Sequence, residues 1–399
     1  MSEFKKRLTE ESAATFREEI KIFLGDVAPG SKGSQTVDGM PNFFVGSICD
    51  RISGVVRMLY NLMFHKALWR SDKVFKPIIE KIMVHPDGTR KKFWELGRDD
   101  DGNLRCSLAV TTTDLGFARS LVFTNEIRED ERRHFVESEH RKVLLRDLDV
   151  TAELPMRASS AIPFAFTPAK FPEGAPKSMQ TSLCDGGAVS NLSAQLLRQT
   201  YYNEEGAKLD KRRTPVRFAL SCNEFEYERS AAYDFDEKPT SRADSGIQLA
   251  TQVFTSIIND AMADDIDIFL ASKGLKEHIF VTRLKEIVNL PTPEKPFMKK
   301  VPSQINFFAL NRDTTEQMFE FGRHVVEEKL IKKMDPREFK RAQRNGVTLA
   351  LSGGGALFPV LFGAVAAMNE YFEVRAIAGT SAGALTASYM AEKIARQKD

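Results

Sequence analysis

Apolar and polar residues follow one another along this chain in patterns that predict both strands and helices. Short runs of apolar and β-branched residues predict buried strands, and apolar residues at helical spacing predict helices. The strands are predicted at residues 105–113, 120–124, 182–184, 216–221, 279–282, 347–351 and 376–378. The helices are predicted at residues 3–24, 152–161, 244–272, 312–333 and 360–371.

Two further segments permit more than one interpretation. Large apolar residues recur at helical spacing in residues 42–70, and cations lie near the end of this segment. The pattern is typical of a pair of buried core helices, and it also suits a mobile lid or interfacial helix that contacts lipid. The basic segment 332–344 favours a solvated linker over a contact with an anionic surface.

The end of the chain has the clearest organisation. Residues 346–395 predict a strand, a glycine-rich turn, a helix, a second strand, a serine-containing turn and a last helix. This order is a parallel β-α-β unit, in which both turns lie at the same carboxyl-terminal edge of the sheet.

Ser381 lies at the apex of the second turn, between Gly379 and Gly383. A sharp strand-to-helix turn strains the serine backbone and exposes its hydroxyl, and glycines are needed where strand and helix pass too closely for a Cβ atom. The helix that begins near Ala382 directs its positive end at the serine. A Gly-x-Ser-x-Gly pattern alone is weak, and its strand-turn-helix context strengthens it.

The first turn contains Gly353, Gly354 and Gly355. Consecutive glycines let backbone N–H groups point in the same direction, which suits an oxyanion hole. The alternative is a phosphate-binding turn. It is disfavoured because the chain has neither the Lys-Ser pair of a P-loop nor the acid that follows a dinucleotide-binding turn.

A base for Ser381 is less obvious from the sequence. None of the histidines follows a strand end, where a catalytic histidine is expected; they are His65, His85, His134, His140, His278 and His324. Asp185 follows a short apolar strand and precedes Gly186 and Gly187. An aspartate can act on a serine directly as general base, and on spacing alone an ordinary turn aspartate is equally expected.

Composition limits the function classes. The chain has 399 residues, 42% hydrophobic and 28% charged, which is a globular balance. The net charge of +2 gives no indication of nucleic acid binding, and four widely spaced cysteines predict a reducing compartment. Without a signal peptide or an 18-residue apolar run, we expect a cytoplasmic or peripheral membrane protein, with export by another route left open.

The three turns together resemble those of the patatin-like phospholipase family. Supporting segments are residues 113–115 with 122–123, residues 158–163, Asn191, and 318–330 as the last helix of the family. The resemblance covers about 1–220 and 346–399. It implies a three-layer α/β/α sandwich with a mostly parallel central sheet.

The resemblance also implies a function. Ser381 is the implied nucleophile, Asp185 the general base, and the amides of Gly353–Gly355 the oxyanion hole of a lipid acyl hydrolase that needs no metal or cofactor. The substrate is usually a glycerophospholipid at a membrane surface, and a protein or small-molecule activator stays open. The alternatives are a lipid- or partner-binding protein without catalysis and a carboxylesterase for soluble esters.

Two features depart from the family pattern. The aspartate turn precedes the other two, so the chain resembles a circular permutant. Residues 1–332 then form the family's C-terminal part, 333–345 a basic connector and 346–399 its N-terminal part, within one structural domain. A site shared between chains of a homo-oligomer is the alternative. In addition, Leu357 and Phe358 occupy the places where the family has a basic residue and a glycine.

Overall fold

The structure is a computed structural model, and it describes part of the chain. The described residues are 5–27, 67, 79, 83–85, 87–116, 119–125, 136–138, 141–143, 150–163, 165–173, 175, 180–188, 215–222, 279–283 and 311–397. Nearly all of segment 42–70, the predicted helix 244–272 and Asn191 lie outside these residues.

Ten strands and six α-helices occur in the described residues. The strands are β1 (Ser107–Asp114), β2 (Arg119–Thr124), β3 (Val136–Ser138), β4 (Arg141–Val143), β5 (Ala169–Lys170), β6 (Ser182–Asp185), β7 (Val216–Ser221), β8 (Ile279–Arg283), β9 (Val347–Leu351) and β10 (Val374–Thr380). The helices are α1 (Glu10–Val27), α2 (Glu153–Ser159), α3 (Arg312–Val325), α4 (Pro336–Asn345), α5 (Phe358–Tyr371) and α6 (Ala382–Ala395). Each predicted strand begins and ends within two residues of the bounds of an observed strand.

All ten strands belong to one sheet, whose main path runs β4-β3-β2-β1-β10-β9-β7-β8. The strands from β1 to β8 on this path pair in parallel, whereas β2, β3 and β4 extend the sheet with antiparallel pairs. Every residue of β7 and β9 is buried, because strands in the middle of a parallel sheet are covered on both faces. The predicted α/β fold with a parallel central sheet is confirmed.

The last two strands of the chain lie in the middle of the sheet. β10 pairs with β1 and β9 pairs with β7. The two strands from the end of the chain therefore lie between β1 and β7, which come from earlier parts of the chain. Thr380 is the register partner of Thr111, and Leu351 that of Leu220. Segments that are remote in sequence therefore end side by side at one edge of the sheet.

Helices α3 and α5 pack very closely through glycines. A Cβ atom on Gly363 would lie 1.9 Å from the carbonyl oxygen of Phe319, and one on Gly322 would lie 2.0 Å from that of Val360. Backbone atoms cannot move away as a flexible side chain can, so both positions require glycine. This contact fixes α5, which connects β9 to β10, against the late helix of the chain.

The segment predicted as a solvated basic linker differs in the structure. Its residues from Pro336 onwards form α4, and Asp335 caps the helix by accepting a hydrogen bond from the amide of Arg337 at 2.7 Å. Phe339 is buried and packs against Phe372 with ring centroids 5.1 Å apart. The prediction of a solvated linker is therefore wrong for the side of α4 that carries Phe339. It failed because the apolar residues of a short amphipathic helix are few among its many charges.

Candidate active site

The three predicted turns meet at the carboxyl-terminal edge of the sheet. Ser381 directly follows β10, and the glycine turn directly follows β9, the neighbouring parallel strand. Asp185 ends β6, which pairs with β1 on the same edge, where Thr112 is its partner. A Cβ atom on Gly186 would lie 3.1 Å from the Thr380 side chain, so the aspartate turn touches the residue before Ser381. The structure therefore brings all three turns together within a single chain.

Ser381 adopts a strained backbone conformation. It has a φ of 53° and a ψ of −121°. Among the described non-glycine residues, Ser381 alone has a positive φ. A conformation of this kind costs about 1–3 kcal/mol and persists only where the surroundings fix it. Strain at a strand-to-helix apex is the geometry of a nucleophile elbow.

The two glycines beside Ser381 permit this turn. A Cβ atom on Gly379 would lie 2.2 Å from the carbonyl oxygen of Gly383, where β10 and α6 pass one another. A Cβ atom on Gly383 would lie 2.6 Å from the carbonyl oxygen of Leu351 at the end of β9. The serine turn and the glycine turn are consequently packed backbone to backbone.

Two hydroxyls hold the backbone of Ser381. Its N–H donates to Oγ of Ser159 at 2.8 Å, and that hydroxyl donates to the carbonyl oxygen of Thr111 at 2.6 Å. The hydroxyl of Ser160 donates to the carbonyl oxygen of Ser381 at 3.3 Å. Sequence analysis identified residues 158–163 only as a family-like segment. The missed signal was a pair of hydroxyls at the end of a short apolar helix.

Asp185 is buried beside Ser381, with 2% of its surface exposed. Its Oδ1 accepts a hydrogen bond from the amide of Gly187 at 2.7 Å, whereas its buried Oδ2 has no hydrogen-bond partner among the described residues. Burial raises the pKa of this carboxyl to about 7, and the neighbouring Ser381 side chain and the Gly187 amide oppose that rise.

The Ser381 hydroxyl thus lies near enough to affect the pKa of Asp185, without completing a hydrogen bond of regular geometry. Such a contact between a candidate nucleophile and its base is often loose in an enzyme without substrate and tightens when substrate binds. Within the described residues, the buried Oδ2 of Asp185 has no other hydrogen-bond partner.

The glycine turn is anchored at its start. Ser352 donates its amide to the carbonyl oxygen of Leu220 at 3.1 Å, and its hydroxyl accepts from the amide of Cys222 at 3.0 Å. A Cβ atom on Gly354 would lie 2.9 Å from Cβ of Cys222, and Gly355 has a φ of 51°. Within the described part of the chain, the amides of Gly354 and Gly355 donate no hydrogen bond. They can therefore serve an anion.

The two unusual residues after this turn belong to the core. Leu357 and Phe358 are both buried, and Phe358 packs edge-on against Phe362 with centroids 6.1 Å apart. Leu357 donates its amide to the carbonyl oxygen of Gly354 at 2.9 Å, which closes a short 3-10 turn. The turn keeps a defined backbone although its side chains carry no charge.

The described histidines lie in other environments. His85 pairs with Glu95 at 3.3 Å, and His324 lies in α3. Neither forms a described hydrogen bond with Ser381 or Asp185. Asp185 is thus the titratable group of the described residues that adjoins Ser381. No cluster suited to a metal ion, and no helix long and apolar enough to cross a membrane, is found in the portion that the structure covers.

Comparison with known proteins gives one match. Residues 349–399 match the family model described as Patatin-like phospholipase. This segment contains β9, the glycine turn, β10, Ser381 and α6. A significant match is found neither among curated proteins nor among solved structures. The family match supports lipid acyl hydrolysis in general.

Proposed function

We propose that this chain, whose residues 349–399 match the patatin-like phospholipase family model, is a phospholipase A-type serine hydrolase that works through a Ser381–Asp185 dyad. The observation that carries the proposal is the strained Ser381 beside the buried carboxyl of Asp185, which no described cation contacts. Strain of this kind exposes a nucleophile, and a pKa of about 7 suits a general base at neutral pH.

In the first half of the reaction, Asp185 takes the proton of the Ser381 hydroxyl as Oγ attacks the ester carbonyl. The negative charge on the carbonyl oxygen accepts hydrogen bonds from the amides of Gly353, Gly354 and Gly355. The N-terminus of α6, which begins one residue after Ser381, adds a partial positive charge. Asp185 then gives its proton to the departing alcohol, and an acyl-enzyme remains.

In the second half, Asp185 takes a proton from water as the water oxygen attacks the acyl-enzyme. The same backbone amides hold the second oxyanion. When this intermediate collapses, the fatty acid leaves and the proton passes from Asp185 to the Ser381 oxygen. The dyad is thereby restored without a metal ion or cofactor taking part.

We infer that the substrate is a glycerophospholipid presented at a membrane surface. The support is the family match, since fatty-acyl esters of lipids are the substrate class that it indicates. Membrane association and an activator are parts of this proposal, and nucleic acid has no role in it.

A circular permutation is likewise part of the proposal. The aspartate of β6 precedes the serine turn by about half of the chain, yet β9 and β10 lie between β1 and β7 in one sheet. Permutation is tolerated when the new ends lie at the surface, because sheet contacts do not depend on chain order. Ser381 and Asp185 adjoin one another within one chain, so a site shared between the chains of a homo-oligomer is not needed to bring these residues together.

A second function, lipid binding without catalysis, is favoured by one observation. Leu357 and Phe358 place no positive side chain at the glycine turn. A fluorophosphonate probe, which reacts with activated serines, separates the two functions. Catalysis predicts covalent labelling of Ser381 in folded protein, and binding alone predicts none.

The experiment that tests the proposed function is release of free fatty acid from mixed phospholipid vesicles. Wild type is compared with Ser381→Ala and Asp185→Asn at two protein concentrations. The same proteins are also assayed with a soluble short-chain ester as substrate. We expect fatty acid from wild type alone, at a specific activity independent of concentration. Equal turnover by Ser381→Ala would refute the dyad. Faster turnover of the soluble ester than of vesicles would indicate a carboxylesterase.

A further inference from the structure

Three consecutive residues at the end of α2 contact the backbone of both proposed members of the dyad. The hydroxyl of Ser159 accepts from the amide of Ser381, and the hydroxyl of Ser160 donates to the Ser381 carbonyl. The carbonyl of the next residue, Ala161, accepts from the amide of Asp185 at 2.9 Å. One short segment thus holds the nucleophile turn and the base turn, which are far apart in sequence.

We propose that Ser159 is a positioning residue that fixes the strained conformation of Ser381 and its distance from Asp185, with Ser160 in a lesser supporting role. This inference rests on the proposed function and assigns a task to residues outside the dyad.

The two hydroxyls restrain different rotations. The amide of Ser381 belongs to the peptide plane before the residue, which turns with φ, and its carbonyl belongs to the plane after it, which turns with ψ. Ser159 holds the first plane and Ser160 the second. A residue with φ of 53° and ψ of −121° relaxes by turning one of these planes, so the restraints oppose the relaxation directly.

The two restraints differ in importance. The Ser381 carbonyl also accepts from the amides of Ala384 at 3.0 Å and Leu385 at 3.3 Å, in the first turn of α6. In the described part of the chain, the Ser381 amide has only the Ser159 hydroxyl as acceptor. Ser159 is fully buried, so no bulk water can replace it.

Ser159 also connects the serine turn to the sheet. Its hydroxyl donates to the carbonyl oxygen of Thr111 in β1, whose edge opposite β2 pairs first with β10 and then with β6. Thr111 is the last partner of β10 and Thr112 the first partner of β6, so the hydroxyl is anchored where the strand that leads to Ser381 gives way to the strand that ends at Asp185. A loosened serine turn would move the Ser381 hydroxyl away from Asp185.

The test compares Ser159→Ala, Ser160→Ala and Ser388→Ala. Ser388 lies in α6, is fully buried, and its hydroxyl has no hydrogen-bond partner in the described residues, so its variant controls for the loss of a buried hydroxyl. The readouts are kcat, KM and the pH dependence of turnover on phospholipid vesicles, with thermal unfolding to verify folding.

We expect Ser159→Ala to lower kcat by up to about 100-fold with KM unchanged, because a small misplacement of reacting groups has effects of this size. Ser160→Ala should lower kcat by about threefold, as expected for one weak hydrogen bond, and Ser388→Ala should match wild type. The Ser381 hydroxyl lowers the pKa of Asp185, so loosening it in Ser159→Ala should move the acid limb of the pH profile to higher pH. A folded Ser159→Ala with the kcat and acid limb of wild type would overturn the inference.

A measurement on wild type keeps the inference testable if Ser159→Ala does not fold. Hydrogen exchange at the Ser381 amide should be as slow as at the paired amides of β10, and fast exchange there would contradict the role of Ser159. This outcome is separate from the proposed function. If folded wild type neither releases fatty acid nor labels at Ser381 with a fluorophosphonate, the dyad fails; if Ser381→Ala alone is inactive and Ser159→Ala is normal, only the positioning role fails.

Discussion

Two buried carboxylates in this protein have opposite surroundings. Glu370, near the end of α5, is fully buried and contacts three cations: Lys6 at 2.8 Å, Arg17 at 3.0 Å and Arg323 at 3.1 Å. Asp185 is as deeply buried, yet no described cation contacts it and its Oδ2 has no hydrogen-bond partner among the described residues. Burial of a charge without a partner destabilises a fold, so such a group suggests function, whereas a fully paired one suggests structure.

The comparison distinguishes a structural carboxylate from a candidate catalytic one, which the residue types alone cannot do. Glu370 joins the N-terminal segment, α1 and α3 to α5 through its ion pairs. The Asp185 carboxylate accepts a hydrogen bond only within its own turn, from the Gly187 amide, among the described residues, and it otherwise adjoins Ser381. We therefore expect substitutions at the two positions to have opposite effects on activity and on stability.

The largest expected effect is on turnover. Asp185→Asn keeps the shape of the side chain and removes the base, and Ser381→Ala removes the nucleophile. Each should lower kcat by about four orders of magnitude, the size found when one member of a catalytic set is removed. Fatty acid release from phospholipid vesicles measures it. Glu370→Gln is the matched control, and its activity per folded molecule should equal that of wild type; a comparable loss there would end the distinction.

The second effect is on stability and depends on pH. The pKa of Asp185 is about 7 in the folded chain, above its ordinary value. The folded state therefore keeps a proton that the unfolded state has lost as pH rises from about 4 to 7, and the free energy of unfolding falls over this window. Asp185→Asn escapes this loss, so relative to wild type it should gain up to about 4 kcal/mol between pH 4 and pH 8.

Denaturant unfolding of both proteins at several pH values measures this gain. A difference between variant and wild type that stays constant from pH 4 to pH 8 would show that Asp185 is not held in an environment that disfavours its charge.

The third effect is smaller and opposite in sign. Glu370→Gln leaves Lys6, Arg17 and Arg323 without their shared carboxylate and should lower the free energy of unfolding by about 3 kcal/mol at pH 7. Thermal or denaturant unfolding measures it. The exposed pair Arg375–Glu373 provides a control, because Glu373→Gln should change stability by less than about 0.5 kcal/mol. Equal effects of the two substitutions would mean that the Glu370 cluster has no structural role.

The sequence predicted seven of the ten strands in the described residues, because most of these are short runs of apolar and β-branched residues. It missed the short strands β3, β4 and β5, which are rich in polar and charged residues. β7 and β9 were placed with their observed bounds, and the serine and glycine turns followed from them. The helix α4 was missed since its two buried apolar residues, Phe339 and Ala342, are outnumbered by charges typical of a linker. Local patterns thus predict elements when burial is continuous and fail when only a narrow face is buried.

The site was predictable only in part, for a related reason. Ser381 was recognised from the turn that surrounds it. Asp185 could not be separated from an ordinary turn aspartate, because the segments that bury it are remote: β1 lies earlier in the chain, and the end of β10 much later. The role of Ser159 was also invisible, since its partners are backbone atoms of Thr111 and Ser381 in two remote segments. Contacts between distant backbones leave no mark in residue spacing.

The central claim is that ionised Asp185 activates Ser381, and the rate of Ser381 labelling by an uncharged fluorophosphonate tests it most directly. Labelling requires the deprotonated base, so the rate for wild type should rise about tenfold per pH unit below its midpoint and level off above it, with the midpoint near pH 7. Asp185→Asn should label slowly at every pH. An Asp185→Asn protein that labels at the wild-type rate with the same midpoint would contradict the account.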